Sequence, residues 1–153
     1  MSSQSFIDAN VPIYAAGGDH PLKEPSIEIL SLAVRHPRAF LTDAEVLQEL
    51  LHRYLALRLW RLEGKLAFET FAGSMQGHIE AIHAEDVERA ARLADEHPGL
   101  SARDLVHLAV MHRLEVTHIV TADRTFDQVT GVTRLDPAEV ASWGPELIRA
   151  DRT

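Results

Sequence analysis

Short apolar runs alternate with amphipathic stretches along the whole chain. Runs of apolar and β-branched residues predict strands at 5–7, 39–41 and 116–120, with two further short strands at 79–82 and 132–135. Apolar residues at helical spacing predict helices over 27–36, 43–62, 65–77, 85–96 and 102–114. The stretch 15–25 is predicted as a loop, because two glycines and two prolines interrupt it. Strands that alternate with helices favour an α/β fold with a parallel sheet covered on both faces.

Two capping boxes mark helix starts. The sequence Thr42-Asp43-Ala44-Glu45 precedes the longest predicted helix, and Ser101-Ala102-Arg103-Asp104 precedes a later one. In this motif the hydroxyl and the carboxylate each satisfy a free backbone donor of the other residue. The motif therefore predicts Thr42 and Ser101 as the residues that cap these two helices.

The 153 residues fit a single domain, 1–153, with a core over about 5–136. Cysteine is absent, so disulfides, zinc–thiolate sites and thiol nucleophiles are excluded. Neither a membrane-spanning run nor a signal peptide is expected, and the predicted location is cytoplasmic. The net charge of −8 argues against a general electrostatic binder of nucleic acid, but it is compatible with an enzyme that gathers carboxylates around a cation.

Four acids occupy positions that suit a shared site. Asp8 and Asp123 follow predicted strands, Asp104 lies in the first turn of a predicted helix, and Glu49 lies in the longest helix. Ligands of open parallel sheets bind beyond the carboxyl ends of the strands. Hard cations such as Mg²⁺ and Mn²⁺ prefer oxygen ligands, so converging carboxylates would form a metal site.

Each acid also has a purely structural interpretation. Asp8 and Asp123 can simply end strands, because aspartate favours turns. Asp104 can serve only its capping box, and Glu49 can form a helical ion pair with Arg53, four residues further on. The residues alone leave both interpretations open.

Histidine, nucleotide and nucleophile sites have weaker support. The nine histidines include no H-E-x-x-H motif, so a histidine metal site is not predicted. Glycine-rich phosphate loops and a serine nucleophile elbow are also absent.

The strings around the four acids resemble the PIN-domain family and, within it, the VapC-type toxin ribonucleases of bacterial toxin–antitoxin pairs. The matching strings are FIDANVPIYA from Phe6, LTDAEVLQELLHRY from Leu41, LSARDLVHLAVM from Leu100 and HIVTADRTFDQV from His118. They occur in the family's order and extend over most of the chain, from Phe6 to about Leu135.

The resemblance implies a PIN-like three-layer sandwich and a metal-dependent endoribonuclease that leaves a 3′-hydroxyl and a 5′-phosphate. It implies Mg²⁺, with Mn²⁺ as the alternative, bound by Asp8, Glu49, Asp104 and Asp123, with Asp127 as a further candidate ligand. Asn10 and Thr121 would orient a carboxylate or a phosphate, although Thr121 equally suits packing at the end of the sheet.

The resemblance also implies the partners. The substrate would be RNA, the inhibitor a VapB-like antitoxin, and the assembly a homodimer. RNA needs basic residues near the acids, and Arg53, Arg103 and Arg124 are the candidates. Two alternatives remain: a PIN-like protein-binding module with little or no catalysis, and a metal-dependent nuclease or phosphohydrolase that acts on DNA or small phosphates.

Overall fold

The computed structural model describes residues 2–152. The strands are β1 (Ser5–Ile7), β2 (Phe40–Asp43), β3 (Ile79–Glu80), β4 (His118–Val120) and β5 (Thr133–Leu135). The helices are α1 (Asn10–Ala16), α2 (Lys23–Arg35), α3 (Ala44–Ala56), α4 (Lys65–Ser74), α5 (Ala84–Glu96), α6 (Ala102–Arg113) and α7 (Val140–Asp151). A π-helical turn at Trp60–Gly64 leads into α4. No helix in the described part of the chain could span a membrane.

The five strands form one parallel sheet in the order β3-β2-β1-β4-β5. The chain moves outward from β1 to β3 and then returns across the sheet to β4 and β5. Helices α1, α2 and α4 contact one another and α2 also contacts α7, whereas α5 packs against α6. This arrangement confirms the predicted α/β fold with a short parallel sheet between helices.

The buried core fills the space between the sheet and its helices. Strand β1 lies at the centre, and its three residues are fully buried. Phe6 of β1 contacts the ring of His107 in α6, with the ring centroids 5.1 Å apart. Trp143 and Ile148 of α7 are also buried, so the core extends beyond the predicted limit of 136.

The prediction of a loop over 15–25 was wrong at both ends. Helix α1, which was not predicted, continues to Ala16, and α2 already begins at Lys23. Pro12 in the first turn of α1 and Pro25 in the first turn of α2 require no backbone N–H bond there, so both prolines suit a helix start. Pro25, one of the two prolines on which the loop prediction rested, thus belongs to a helix start.

Helix α3 ends at Ala56, not near Leu62 as predicted. The backbone N–H of Leu59 donates to the carbonyl of Tyr54 at 2.9 Å, and Arg58 adopts a left-handed conformation with φ of 57°. This is the hydrogen bonding of a Schellman motif, in which the left-handed residue is usually glycine. Because arginine occupies the position here, the sequence carries no glycine signal for the helix end.

We expect Gly64 to be required for the turn between α3 and α4. A Cβ atom at this position would lie 2.4 Å from Cβ and 2.6 Å from Cγ of Tyr54, so Gly64→Ala forces the two segments apart. The substitution should lower the free energy of unfolding by about 1–3 kcal/mol, measured by urea denaturation.

Gly73 provides the matched control, because nothing lies within 4 Å of a Cβ built there. Gly73 lies inside α4, and Gly73→Ala should leave the stability unchanged or raise it by up to about 1 kcal/mol. Equal losses in the two variants would contradict the close approach at Gly64.

Candidate active site

The carboxyl ends of three neighbouring strands bring polar side chains to one edge of the sheet. Asp8 follows β1, Asp43 ends β2, and Thr121 follows β4. Strands β1 and β2 are also joined at this edge, because the Thr42 hydroxyl donates to the carbonyl of Ile7 at 2.9 Å. All four of these side chains, from Asp8, Thr42, Asp43 and Thr121, are buried.

The carboxylate of Asp8 is held by hydrogen bonds to both of its oxygens. Oδ1 accepts from the backbone N–H of Ala9 at 2.8 Å. Oδ2 accepts from the Thr121 hydroxyl at 2.8 Å and lies 3.4 Å from the Asn10 amide nitrogen. The orientation of Asp8 is therefore fixed from both sides.

Asn10 and Thr121 form a bridge between β1 and β4. The Asn10 amide donates to the Thr121 hydroxyl at 2.7 Å, and its oxygen accepts from the backbone N–H of Ala122 at 3.2 Å. The Thr121 hydroxyl also accepts from the backbone N–H of Asp123 at 3.1 Å. Both residues thus contact the carboxylate that they were expected to orient.

Glu49 and Asp104 approach Asp8 from helices α3 and α6. Burial raises the pKa of Glu49, and the negative charge of Asp8 raises it further. Burial and the charge of Asp8 likewise raise the pKa of Asp104, with a smaller contribution from Asp123. Burial is the larger cause for both residues, and the contribution of Asp8 reflects repulsion between negative charges. Asp8 therefore interacts with Glu49 and with Asp104, and Asp104 also interacts with Asp123.

Asp123 caps the short turn Arg124–Gln128, because its Oδ1 accepts from the backbone N–H and the hydroxyl of Thr125 at 3.0 and 2.7 Å. Asp127 lies on the outer side of this turn. Its carboxylate pairs with Arg134 at 2.9 Å, and its side chain is half exposed. Asp127 therefore forms an ion pair with Arg134, and its role as a further metal ligand stays a prediction.

The three candidate arginines differ in position. Arg103 lies between Glu45 and Glu49, with nitrogen–oxygen distances of 3.7 and 3.9 Å. Arg53 and Arg124 are exposed. Within residues 2–152, Glu49 forms its ion pair with Arg103 and not with Arg53, so the helical ion pair considered from the sequence is absent.

Sequence reasoning missed two buried residues of this site. Asp43, and not Thr42, caps α3, and its Oδ1 accepts from the backbone N–H of Val46 at 2.9 Å. Its other oxygen, Oδ2, lies 2.8 Å from Nδ1 of His107. His107 could have been found from its spacing to Asp104, because residues three apart share a helix face and His107 therefore lies on the same side of α6 as that acid.

His107 is fully buried between Asp43 and Asp8. Burial alone would lower its pKa, but the hydrogen bond to Asp43 and the negative charges of Asp43, Asp8 and Glu49 outweigh burial and raise the pKa of His107 to about 9. Nε2 lies 3.8 Å from Oδ1 of Asp8.

One set of ligand atoms in the cluster is arranged closely enough for a cation. Single oxygen or nitrogen atoms of Asp8, Asp104 and His107 all lie within 4.8 Å of one another. Carboxylate oxygens suit hard divalent cations, and two mutually repelling carboxylates gain stability when such a cation lies between them. The side chains present therefore fit a divalent metal ion.

Comparison with known proteins agrees with this geometry. The PIN domain family model matches residues 5–132. The VapC ribonuclease Mb1869c of Mycobacterium bovis is 38% identical over 131 residues, which cover 85% of this chain and 98% of that protein. Ribonuclease VapC23 of Mycobacterium tuberculosis is 42% identical over 121 residues, which cover 78% of this chain and 93% of that protein.

The fold is also shared with a solved structure, described as a toxin–antitoxin complex from Klebsiella pneumoniae. The TM-score is 0.60 at 17% identity, and the match covers 88% of this chain and 98% of the other. The resemblance found in the sequence is therefore confirmed, and this chain belongs to the PIN domain family, among the relatives of the VapC ribonucleases.

Proposed function

We propose that this chain is a metal-dependent endoribonuclease that hydrolyses RNA phosphodiester bonds and acts as the toxin of a type II toxin–antitoxin pair. The observation that carries the proposal is the cluster of Asp8, Glu49, Asp104 and Asp123, four acids from separate segments that interact at one edge of the sheet. The names of relatives at 38% and 42% identity, which are ribonucleases, support the same reaction.

Mg²⁺ is the proposed cofactor and Mn²⁺ the alternative, bound by these four acids directly or through water. A bound divalent cation supplies an activated water and stabilises negative charge on the phosphoryl group. Carboxylates repel an RNA backbone, so a cation is needed before a phosphate can approach the acids.

The remaining side chains of the site position the acids and the substrate. Thr121 and Asn10 hold Asp8 in one orientation through the hydrogen bonds between β1 and β4. Arg103 is partly exposed beside Glu49, where its guanidinium can reach a phosphate of the RNA. Arg53 and Arg124 are exposed, and we propose them as further contacts to the RNA backbone.

Asp8→Asn should abolish metal-dependent cleavage while the fold survives, because the amide keeps the shape of the carboxylate and loses its charge. Substitution of residues that only support a metal ligand typically costs 10–100-fold, so we expect a loss of at least about 100-fold. The measurement is cleavage of mixed transfer and ribosomal RNA with Mg²⁺ or Mn²⁺, compared with EDTA.

The matched control is Asp95→Asn, since Asp95 is an exposed acid on α5. It should cleave like the unmodified protein, and loss of cleavage in Asp8→Asn alone excludes a contaminating nuclease. Full activity in folded Asp8→Asn would refute the site. Cleavage of DNA but not of RNA would favour the alternative nuclease. Metal binding without any cleavage would favour the protein-binding module.

Glu49→Gln should stabilise the metal-free protein at neutral pH. Because the pKa of Glu49 is raised, the native state holds this proton more tightly than the unfolded chain, so stability falls as the pH rises through the raised value. Removing the charge should raise Tm at pH 7 by a few degrees, and the gain should vanish below about pH 4, where glutamate is protonated in both states.

Glu45→Gln is the control for this experiment. Glu45 lies one turn earlier on α3 and also faces Arg103, at 3.7 Å, so it reproduces the loss of that ion pair. Both Tm values are measured without metal and compared with that of the unmodified protein. If Glu49→Gln lowers Tm as much as Glu45→Gln does, Glu49 is not repelled by the other acids.

We also propose that a VapB-like antitoxin binds the apolar groove between α1, α2 and α4. The groove has a volume of about 530 Å³ and its lining is mainly apolar. Leu62 and Leu66 at its rim are 81% and 71% exposed, an unusual amount of uncovered leucine surface. Apolar surface of this kind marks protein interfaces, and a partner helix could cover it.

Leu66→Asp should weaken the complex with the antitoxin by at least about tenfold, because a desolvated charge in an apolar interface is costly. The measurement is calorimetry of the purified toxin with its cognate antitoxin. Val87→Asp is the control, since Val87 is 52% exposed on α5, outside the groove. Unchanged affinity in Leu66→Asp, with loss of the predicted homodimer instead, would assign the groove to a second copy of this chain.

A further inference from the structure

His107 has one ring nitrogen that is hydrogen-bonded and one that is not. Nδ1 lies 2.8 Å from Oδ2 of Asp43, whereas Nε2 has no hydrogen-bond partner within the described residues. The side chain is fully buried, so bulk water does not satisfy Nε2. Buried polar atoms without a partner are rare in folded proteins, and an ion is one of the usual reasons for them.

The free nitrogen is directed at the acids. Nε2 lies 3.8 Å from Oδ1 of Asp8, and ligand atoms of Asp8, Asp104 and His107 lie within 4.8 Å of one another. Ligand atoms that each lie about 2.0–2.2 Å from one ion are separated by up to roughly 4.4 Å. Small side-chain adjustments therefore bring the three groups around a single cation.

Asp43 completes the arrangement expected for a metal-binding histidine. Such histidines almost always donate their second ring N–H to a carboxylate or a carbonyl, which fixes the tautomer and the orientation of the ring. Asp43 is itself fixed, because it caps α3 and is fully buried. The buried pair thus holds Nε2 towards Asp8 and Asp104.

We propose that Nε2 of His107 is a direct ligand of the metal ion, together with Asp8 and Asp104, and that the site consequently prefers Mn²⁺ to Mg²⁺. The inference rests on the proposed metal-dependent function and goes beyond a site built from carboxylates alone. The cation replaces the proton on Nε2, and Nδ1 keeps its proton towards Asp43. Mn²⁺ shares the oxygen preference of Mg²⁺ and is the weakest binder among the first-row transition-metal ions, but as a member of that series it accepts a nitrogen ligand more readily than Mg²⁺, which demands strict octahedral oxygen geometry.

The decisive experiment detects the nitrogen ligand without any RNA. Mn²⁺ is added to the purified full-length protein, and pulsed electron paramagnetic resonance measures the modulation from nearby ¹⁴N nuclei. We expect imidazole modulation in the unmodified protein and in His112→Gln, a substitution of an exposed histidine on the same helix. His107→Gln should lose the modulation.

Binding constants provide the second readout. Calorimetry should show the preference for Mn²⁺ over Mg²⁺ falling by at least about tenfold in His107→Gln and remaining unchanged in His112→Gln. Asp43→Asn should keep the nitrogen modulation while its Mn²⁺ affinity falls about 10–100-fold, because the ring loses its carboxylate partner.

The outcomes separate this inference from the proposed function. Bound Mn²⁺ without imidazole modulation in the unmodified protein overturns the histidine ligand and leaves the carboxylate site intact, and this result does not depend on any variant folding. Absence of Mn²⁺ and Mg²⁺ binding in the unmodified protein overturns both proposals. Equal modulation in folded His107→Gln also overturns the assignment, because another histidine would then be the ligand.

Discussion

The repulsion among carboxylates at one edge of the sheet, of which Asp8 is buried and Glu49 and Asp104 are half-buried, is the constraint around which this molecule is organised. Asp8 lies in the middle of the cluster, and its charge raises the pKa of both Glu49 and Asp104. Such an arrangement costs folding free energy, because each ionised carboxylate is partly desolvated and faces others of the same sign. The cost is tolerated because the central strand of a parallel sheet is buried on both faces and holds Asp8 firmly in place.

The sheet order explains how distant segments reach the same point. Strand β1 pairs with β2 on one side and with β4 on the other, so the residues after all three strands meet at one edge. Helices α3 and α6 begin near this edge and add Glu49 and Asp104 within their first two turns. The strand-and-helix pattern therefore made the four acids candidates for a shared site, but a structural interpretation of each stayed open until the family resemblance grouped them as ligands.

Other features depend on details that hydrophobic patterns do not carry. The end of α3 is set by a left-handed Arg58, a conformation for which sequence rules expect glycine. Helix α1 was missed because it has only seven residues and contains a proline in its first turn. Ser101 does accept from the backbone N–H of Asp104 at 3.2 Å, so the second capping box was placed correctly.

The first capping box shows how a shift of one residue changes the chemistry of the site. With Thr42 as the cap, Asp43 would be one of several acids in a helical turn. In the structure Thr42 instead lies within β2 and bonds to β1, and Asp43, the last residue of β2, takes the buried cap position that faces His107. The pairing of Asp43 with a histidine 64 residues away depends on tertiary packing, so no local motif could predict it.

The apolar groove and the acid cluster are connected through α1. The helix begins with Asn10, which bonds to Thr121 beside Asp8, and its later residues Pro12, Ala15 and Ala16 line the groove. A protein helix in the groove would therefore rest on the same short helix that positions the central acid. Because α1 has only seven residues and follows Asp8 after a single residue, a displacement along it would reach the Asn10–Thr121 bridge directly. Coupling between partner binding and the metal site thus requires no long pathway: one turn of helix separates the two surfaces.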